Sequence, residues 1–218
     1  MKNSNKSEAN TLVKWGVGAV LTIASMGSAY AYGDNDKIIT KDIQIKNAQQ
    51  LHLDAHVGSV KFSPSSDDQI HVYVKVSDKE GWGIFKDSPQ DAQLVVQREG
   101  NKLTLSLNDD EYGEEWRIEL PQMSLLNADL GVGEIQVKRI NTNLKLDVGV
   151  GEATIVASAS AYSSANGQAG VGAAAVRSVS GTTTSDRAMV SEEVNWTGSG
   201  EYSIDVEVGV GDISIKLD

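Results

Sequence analysis

The stretch LDVGVGEATI at residues 146–155 decides the fold, because it recurs along the chain with the same spacing of apolar residues, glycines and a carboxylate. It reads ADLGVGEIQV at 128–137 and VEVGVGDISI at 206–215, and weaker copies read GVGAAAV at 170–176 and GSGEYSI at 198–204. Repeats of about 20 residues with strand-like alternation are typical of a solenoid, whose coils bury their apolar faces against one another. We therefore expect each unit to pair with the next one along the chain.

Glycine in the middle of the unit lets the chain turn, or lets the backbone of another coil approach closely. We predict a structural turn at the second glycine of each copy: Gly133, Gly151, Gly172, Gly200 and Gly211.

The remaining sequence also alternates between apolar and polar residues. Examples are Leu51–Val57, Ile70–Val76 and the two runs that flank Gly100, where we predict a hairpin turn. The segment LDAHVGSV at 53–60 aligns with the repeat but lacks one glycine. The prediction is an all-β protein, a single-stranded β-solenoid-like stack of short strands with G-x-G-[DE] turns, preceded by longer antiparallel strands.

Three regions are expected along the chain. Residues 1–31 have a basic start, an apolar run of small residues and the pattern Ala29-Tyr30-Ala31, which is typical of a signal peptide with its cleavage site. Residues 32–127 form an N-terminal β region and residues 128–218 the repeat region, together one continuous domain. Small residues dominate 157–185, which fits either a flexible linker or, as we favour, further solenoid with a small-residue interior. An uncleaved N-terminal anchor is the alternative to a signal peptide.

Composition excludes several classes of function. The 218-residue chain has a net charge of −11, which disfavours nucleic acid as a partner because phosphates are repelled. With no cysteine it has neither disulfides nor thiolate chemistry. After residue 31 no apolar stretch is long enough to span a bilayer, so we expect an exported protein of the periplasm or cell surface.

The G-x-G-[DE] units resemble the bacterial "putative adhesin" repeat family, also called the toastrack domain. The likeness is strongest over 128–218 and includes 51–62 as a first rung. Many family rungs read S-G-D-I, which only residues 198–201 approach here, and the other copies use Gly-Val-Gly. The resemblance implies a non-enzymatic envelope module without cofactors, which serves adhesion or envelope-stress signalling. Its partner is then an envelope protein or a surface ligand.

Recurring carboxylates suggest a second function. Glu134, Glu152 and Asp212 follow the glycine pair in three copies, and stacking would align them into a row of oxygen ligands suited to calcium. The alternative is a row of solvated carboxylates that also discourages edge pairing.

The histidines offer another candidate metal site. His52, Asp54 and His56 alternate on one strand face, and His71 lies on a later strand. Imidazole and carboxylate ligands suit zinc or copper, although an ordinary wet strand face has the same pattern.

An apolar loop is a candidate partner contact. It contains Trp82, Ile84 and Phe85, which either contact a partner or membrane surface or fold over one end of the core.

Enzyme motifs such as H-E-x-x-H and G-x-S-x-G are absent from the sequence. A non-enzymatic envelope module is the favoured function. The alternatives are a periplasmic metal- or calcium-binding protein and a carbohydrate-active enzyme.

Overall fold

The computed structural model describes residues 36–45, 48–78 and 88–218. Within these ranges the chain forms thirteen β-strands and two short 3-10 turns, Pro89–Asp91 and Ala159–Ala161. The strands are β1 (Lys37–Gln44), β2 (Gln50–Pro64), β3 (Gln69–Asp78), β4 (Leu94–Glu99), β5 (Lys102–Leu107), β6 (Tyr112–Leu120), β7 (Leu125–Lys138), β8 (Asn143–Ala157), β9 (Tyr162–Val171), β10 (Ala174–Ser178), β11 (Thr182–Ala188), β12 (Ser191–Thr197) and β13 (Tyr202–Leu217).

Four long strands, β2, β7, β8 and β13, run parallel to one another and form what we call the rung stack. All thirteen strands belong to one sheet, in which each rung bends at its glycine and its two halves have different neighbours. The first halves lie in the order β4-β5-β2-β7-β8-β13-β9-β12-β11, and the second halves lie in the order β1-β3-β6-β2-β7-β8-β13-β10. Both halves pack on the same core.

Side-chain alternation explains why the rungs bend. In β8, the even-numbered residues from Leu144 to Val148 are buried before the bend, and the odd-numbered residues from Ala153 to Ala157 are buried after it. A straight strand keeps one phase, so the reversal of phase across Gly-Val-Gly allows both halves to face the same interior. Full burial of each Leu, Ile or Val side chain contributes about 1.5–3 kcal/mol.

Strand lengths differ from the sequence-based expectation. The rungs span 14–16 residues, whereas the antiparallel strands before and between them span 6–10. The expectation was wrong because it treated Gly-x-Gly as a turn that ends a strand, and backbone pairing instead continues through the bend.

The order of the rungs also differs from their order in the sequence. The C-terminal strand β13 lies between β8 and the outermost rung, which is divided into β9 and β10. The expectation that each unit pairs with the next one was therefore wrong at this point. In this outer rung, β9 contributes the small Ala165 and Ala169 and the large Tyr162 to the interior, and the core continues beyond it with Trp196 of β12.

Two smaller expectations agree with the structure. β4 and β5 pair as a hairpin around Gly100. The segment 53–60 lies in β2, whose Gly58 is in register with Gly133 of β7, so this segment is the first rung.

Candidate functional site

Glycine is required at the bend because of both conformation and space. Gly151 has φ +147°, and a Cβ there would lie 1.7 Å from the carbonyl oxygen of Gly133 on the neighbouring rung. No side chain fits at that distance, and L-residues rarely adopt such a φ. Equivalent geometry occurs at four other bends, at Gly58, Gly133, Gly172 and Gly211.

Gly200 does not share this geometry. It lies in the loop between β12 and β13, where its backbone NH donates to the Tyr162 carbonyl and a Cβ would collide with Ala161. The weak repeat copy at 198–204 is thus not a bend of the stack. It resembles the motif because a close backbone approach also favours glycine there.

Valine occupies the outer corner of every bend. Val132, Val150, Val210 and Val171 are 46–48% exposed, and they are paired in register with one another. Val57 of β2 continues the row at its other end. This valine row is an exposed apolar ridge. It is unusual within the rungs, because the alternation of each strand allows the remaining apolar residues to point inward.

Carboxylates follow the valine row on one side. Glu134, Glu152 and Asp212 are exposed and lie in register, as the calcium prediction expected. Glu152 accepts a hydrogen bond from the Thr154 hydroxyl, and Asp212 accepts one from the backbone NH of Ala173. In the described ranges no three His, Asp or Glu side chains form a group able to hold a metal ion, so calcium binding stays a prediction.

A second row of carboxylates precedes the bends. We call it the outer acidic row, and it consists of Asp54, Asp129, Asp147 and Glu207, paired in register on adjacent rungs. Burial raises the pKa of Asp129. His52 opposes this shift, and the nearby carboxylates of Asp147 and Asp54 add to it. Like charges repeated at the strand spacing of about 4.8 Å repel one another.

A lane of glycines separates the two features. Gly131, Gly149, Gly209 and Gly170 are exposed and leave bare backbone between the valine row and the outer acidic row. The outer corner of the stack is therefore a valine ridge beside a flat lane, which is glycine on four rungs and His56 on β2. A line of negative charge runs along the lane on β2, β7, β8 and β13, and β9 has Gln168 at that position.

The structure does not bring the four predicted metal ligands together. His52 lies beside Asn127 and Asp129, with its Nε2 3.7 Å from Asp129 Oδ2, and Asp54 is exposed in the outer acidic row. His71 belongs to β3, which is joined through β6 to the part of β2 beyond the bend. The bend at Gly58 thus separates His71 from the other three residues.

His71 instead bridges two carboxylates. Its Nδ1 lies 2.7 Å from Asp42 Oδ1 on β1, and its Nε2 lies 3.0 Å from Asp67 Oδ1 in the turn before β3. The contact with Asp42, more than that with Asp67, raises the pKa of His71, while partial desolvation opposes the shift. The charged imidazolium can donate to both oxygens at once.

Sequence reasoning missed the main buried charge. Glu114 of β6 is 4% exposed; its Oε2 accepts the indole NH of Trp116 at 2.6 Å, and its Oε1 accepts the His56 backbone NH at 3.3 Å. Burial raises the pKa of Glu114, and both hydrogen bonds oppose the shift. The His56 Nδ1 lies 3.6 Å from Glu114 Oε1 and has no hydrogen-bond partner among the described residues.

A signal for Glu114 was present in the sequence. It shares its alternation phase with Trp116, Ile118 and Leu120, which are buried on the same strand. The neighbouring carboxylates Asp109, Asp110, Glu111 and Glu115 obscure this signal, because such a run of charges is typical of a solvated loop.

Two predicted segments lie outside the described residues. These are the signal peptide at 1–31 and the apolar loop with Trp82, Ile84 and Phe85. Among the described residues, no helix is long and apolar enough to cross a membrane.

This architecture defines an all-β module of bent parallel rungs. The family model "N-terminal domain of toast_rack, DUF2154" matches residues 31–177, and the chain belongs to that family. The predicted resemblance is thus confirmed. The match ends within β10, so the inserted strand β13 lies beyond it. No curated protein matches the chain.

One solved structure shares the fold. It is a "putative cell adhesion protein" from Clostridium sporogenes, with a TM-score of 0.54 at 20% identity, covering 84% of this chain and all of that one. Two proteins named "putative adhesin" are more distant. The one from Parabacteroides merdae has a TM-score of 0.32 at 11% identity, over 66% of this chain and 64% of that one. The one from Parabacteroides distasonis has a TM-score of 0.33 at 13% identity, over 84% and 71%.

Proposed function

We propose that this chain is an exported, non-enzymatic interaction module of the bacterial cell envelope. The observation that carries the proposal is the outer corner of the rung stack, where identical side chains recur in register across successive rungs. Such a surface presents the same types of side chain at regular intervals across the rungs, which suits recognition of an extended partner. Function must be argued from this surface, because one fold can serve many functions.

Family and charge support the same proposal. The similar solved structure from Clostridium sporogenes is named a putative cell adhesion protein, and the net charge of −11 fits a soluble surface module that repels nucleic acid. Removal of residues 1–31 would make the mature chain more acidic still, about −13.

Export is tested with the full chain and its own N-terminus in a bacterial host. We expect mass spectrometry of the protein outside the cytoplasm to find Tyr32 as the first residue, because signal peptidase requires small residues at 29 and 31. The matched control is Ala29→Arg/Ala31→Arg, which should retain the uncleaved chain. Recovery of the unaltered chain in the cytoplasm, uncleaved, would contradict the proposal.

Binding is tested in the same cells with a photo-crosslinking residue on the rung surface. Placed at Gln136, which lies on the outer face of β7, the crosslinker should form a discrete adduct with an envelope component. At Thr184 of the exposed edge strand β11 it should form less of the same adduct. Equal adduct formation from both positions would indicate collision rather than recognition.

A further inference from the structure

We propose that the outer corner of the rung stack is a docking surface for a cationic amphipathic α-helix of a partner protein. The inference rests on the proposed role as an interaction module and specifies what that module binds. Three features carry it: an exposed apolar ridge, carboxylates on both sides of that ridge, and a repeat distance close to the pitch of a helix.

The valine row supplies the apolar part of the surface. Its five rungs at a spacing of about 4.8 Å make a ridge about 19 Å long. At one end the backbone NH of Gly172 donates to the Val190 carbonyl at 3.0 Å, which brings exposed Met189 and Val190 next to Val171. Soluble proteins rarely expose a continuous apolar strip of this length without a partner.

Charge selects a cationic occupant. The corner carboxylates Glu134, Glu152 and Asp212 flank the ridge on one side, and the four carboxylates of the outer acidic row flank it on the other. The basic groups near these rows are His52, whose Nε2 lies 3.7 Å from Asp129 Oδ2, Lys145 on β8, and Lys75, which lines the same recess as Glu134. The surface around the valines is thus strongly negative, and a partner with Lys or Arg beside its apolar stripe is complementary to it.

Spacing selects a helix laid across the rungs. Successive rungs are about 4.8 Å apart, while one turn of an α-helix rises about 5.4 Å, so side chains one turn apart can meet successive rungs. Residues on the same face of an extended strand are about 6.8 Å apart, so their side chains do not align with successive rungs. The glycine lane leaves room for the helix on β7, β8, β13 and β9, because on these rungs only backbone lies next to the ridge. On β2 the lane position is occupied by the partly exposed His56.

Other occupants fit the charge less well. A second copy that presents the same surface would place seven carboxylates against seven, and an anionic bilayer would be repelled by the same groups. Both are outcomes that the experiment distinguishes.

The experiment uses the exported full-chain product. The probe is a fluorescent synthetic peptide of about 18 residues, built from Leu, Ala and Lys so that a helix separates apolar and basic faces. A scrambled peptide of identical composition is its control. At about 0.15 M salt we expect the amphipathic peptide to bind at least about tenfold more tightly than the scrambled one. Its helical circular dichroism should rise on binding.

Two triple variants remove the two halves of the surface. Val132→Ser/Val150→Ser/Val210→Ser and Asp129→Asn/Asp147→Asn/Glu207→Gln should each weaken binding by at least about tenfold. The matched control is Asp68→Asn/Asp91→Asn/Glu119→Gln, which makes the same change in charge on exposed residues away from the corner and should leave affinity unchanged.

Several results would overturn the proposal. Equal affinity for both peptides, or an equal loss in the control variant, would mean unselective charge attraction. Binding to phosphatidylcholine vesicles that the valine variant abolishes would assign the ridge to lipid. A dimer that the same variant dissociates would assign it to a second copy. Correct export together with any of these results would reject the helix while leaving the envelope role intact.

Discussion

Within the rung stack each bend places glycine against glycine, whereas at the boundary with β6 the bend of β2 places Gly58 against Glu114. The backbone approach is the same, since a Cβ on Gly58 would lie 1.8 Å from the Glu114 carbonyl oxygen. The side chains differ, because Glu114 turns into the core and accepts hydrogen bonds there. Bare backbone therefore allows the stack to continue, and one buried carboxylate closes it.

The largest expected effect comes from the contact of glycine with glycine at the bends of neighbouring rungs. Gly151→Ala should lower the free energy of unfolding by at least about 3 kcal/mol, because the new Cβ collides with backbone and φ is unfavourable. Chemical denaturation measures the change. The matched control is Gly100→Ala, at φ +60° with open space around it, which should cost only about 1 kcal/mol. Equal losses would show that crowding between rungs is unimportant.

The next largest effect comes from the buried carboxylate of Glu114. Glu114→Ala should cost about 2–3 kcal/mol, since the Trp116 indole NH and the His56 backbone NH lose their buried acceptor. Glu114→Gln keeps an acceptor and should cost less, also by denaturation. A harmless Glu114→Ala would mean that water replaces the carboxylate.

The Glu114 contribution should also depend on pH. Because the folded-state pKa of Glu114 is raised, its contribution to stability is complete below the ordinary glutamate pKa. It is lost as pH rises through the raised value. The stability of the unaltered protein relative to Glu114→Gln should therefore improve as pH falls through that window. A constant difference across it would contradict the raised pKa.

A smaller effect with the opposite sign is expected on the outer acidic row. Asp147→Asn should raise stability by about 0.5 kcal/mol, because Asp147 lies between Asp129 and Glu207 on adjacent rungs. The gain should shrink in high salt, where charge repulsion is screened. Thermal melting at two salt concentrations measures it, and a loss of stability would mean that the row binds a cation.

The smallest effect concerns the outer edge of the antiparallel strands. His71→Gln should weaken the link of β1 to the turn at Asp67. The raised pKa of His71 makes its contribution complete below the ordinary histidine pKa, and this contribution is lost as pH rises through the raised value. Melting temperatures of the two proteins should thus differ at about pH 5 and converge at about pH 9. A difference that grows with pH would contradict this account.

Much of the stack was predictable from individual residues. The alternation of Leu144, Leu146 and Val148, followed by Ala153 and Ile155, predicts both the strand and its buried face. Gly-Val-Gly predicts a bend. The toastrack resemblance extended this to the fold class.

The order of the rungs was not predictable in the same way. The bend and the alternation of β8 would allow it to pair with β9 as well as with β13. The local sequence pattern therefore does not decide which strand is its neighbour. The neighbour is decided by how the side chains of all the strands fill the interior together, which is a property of the whole core. The corner surface was missed for a related reason, since the valine between the two glycines of each repeat forms a ridge only when the rungs align.

The most direct test of the account is the position of β13, and the absence of native cysteine makes it simple to read. Thr154 of β8 pairs with Ser214 of β13, and Ser214 in turn pairs with Ala175 of β10. Thr154→Cys/Ser214→Cys should therefore form a disulfide under mild oxidation. Thr154→Cys/Ala175→Cys, two strand spacings or about 9.6 Å apart, should not, because bridged Cα atoms lie within about 7 Å. The reverse result would place the rungs in sequence order and contradict the insertion of the C-terminal strand.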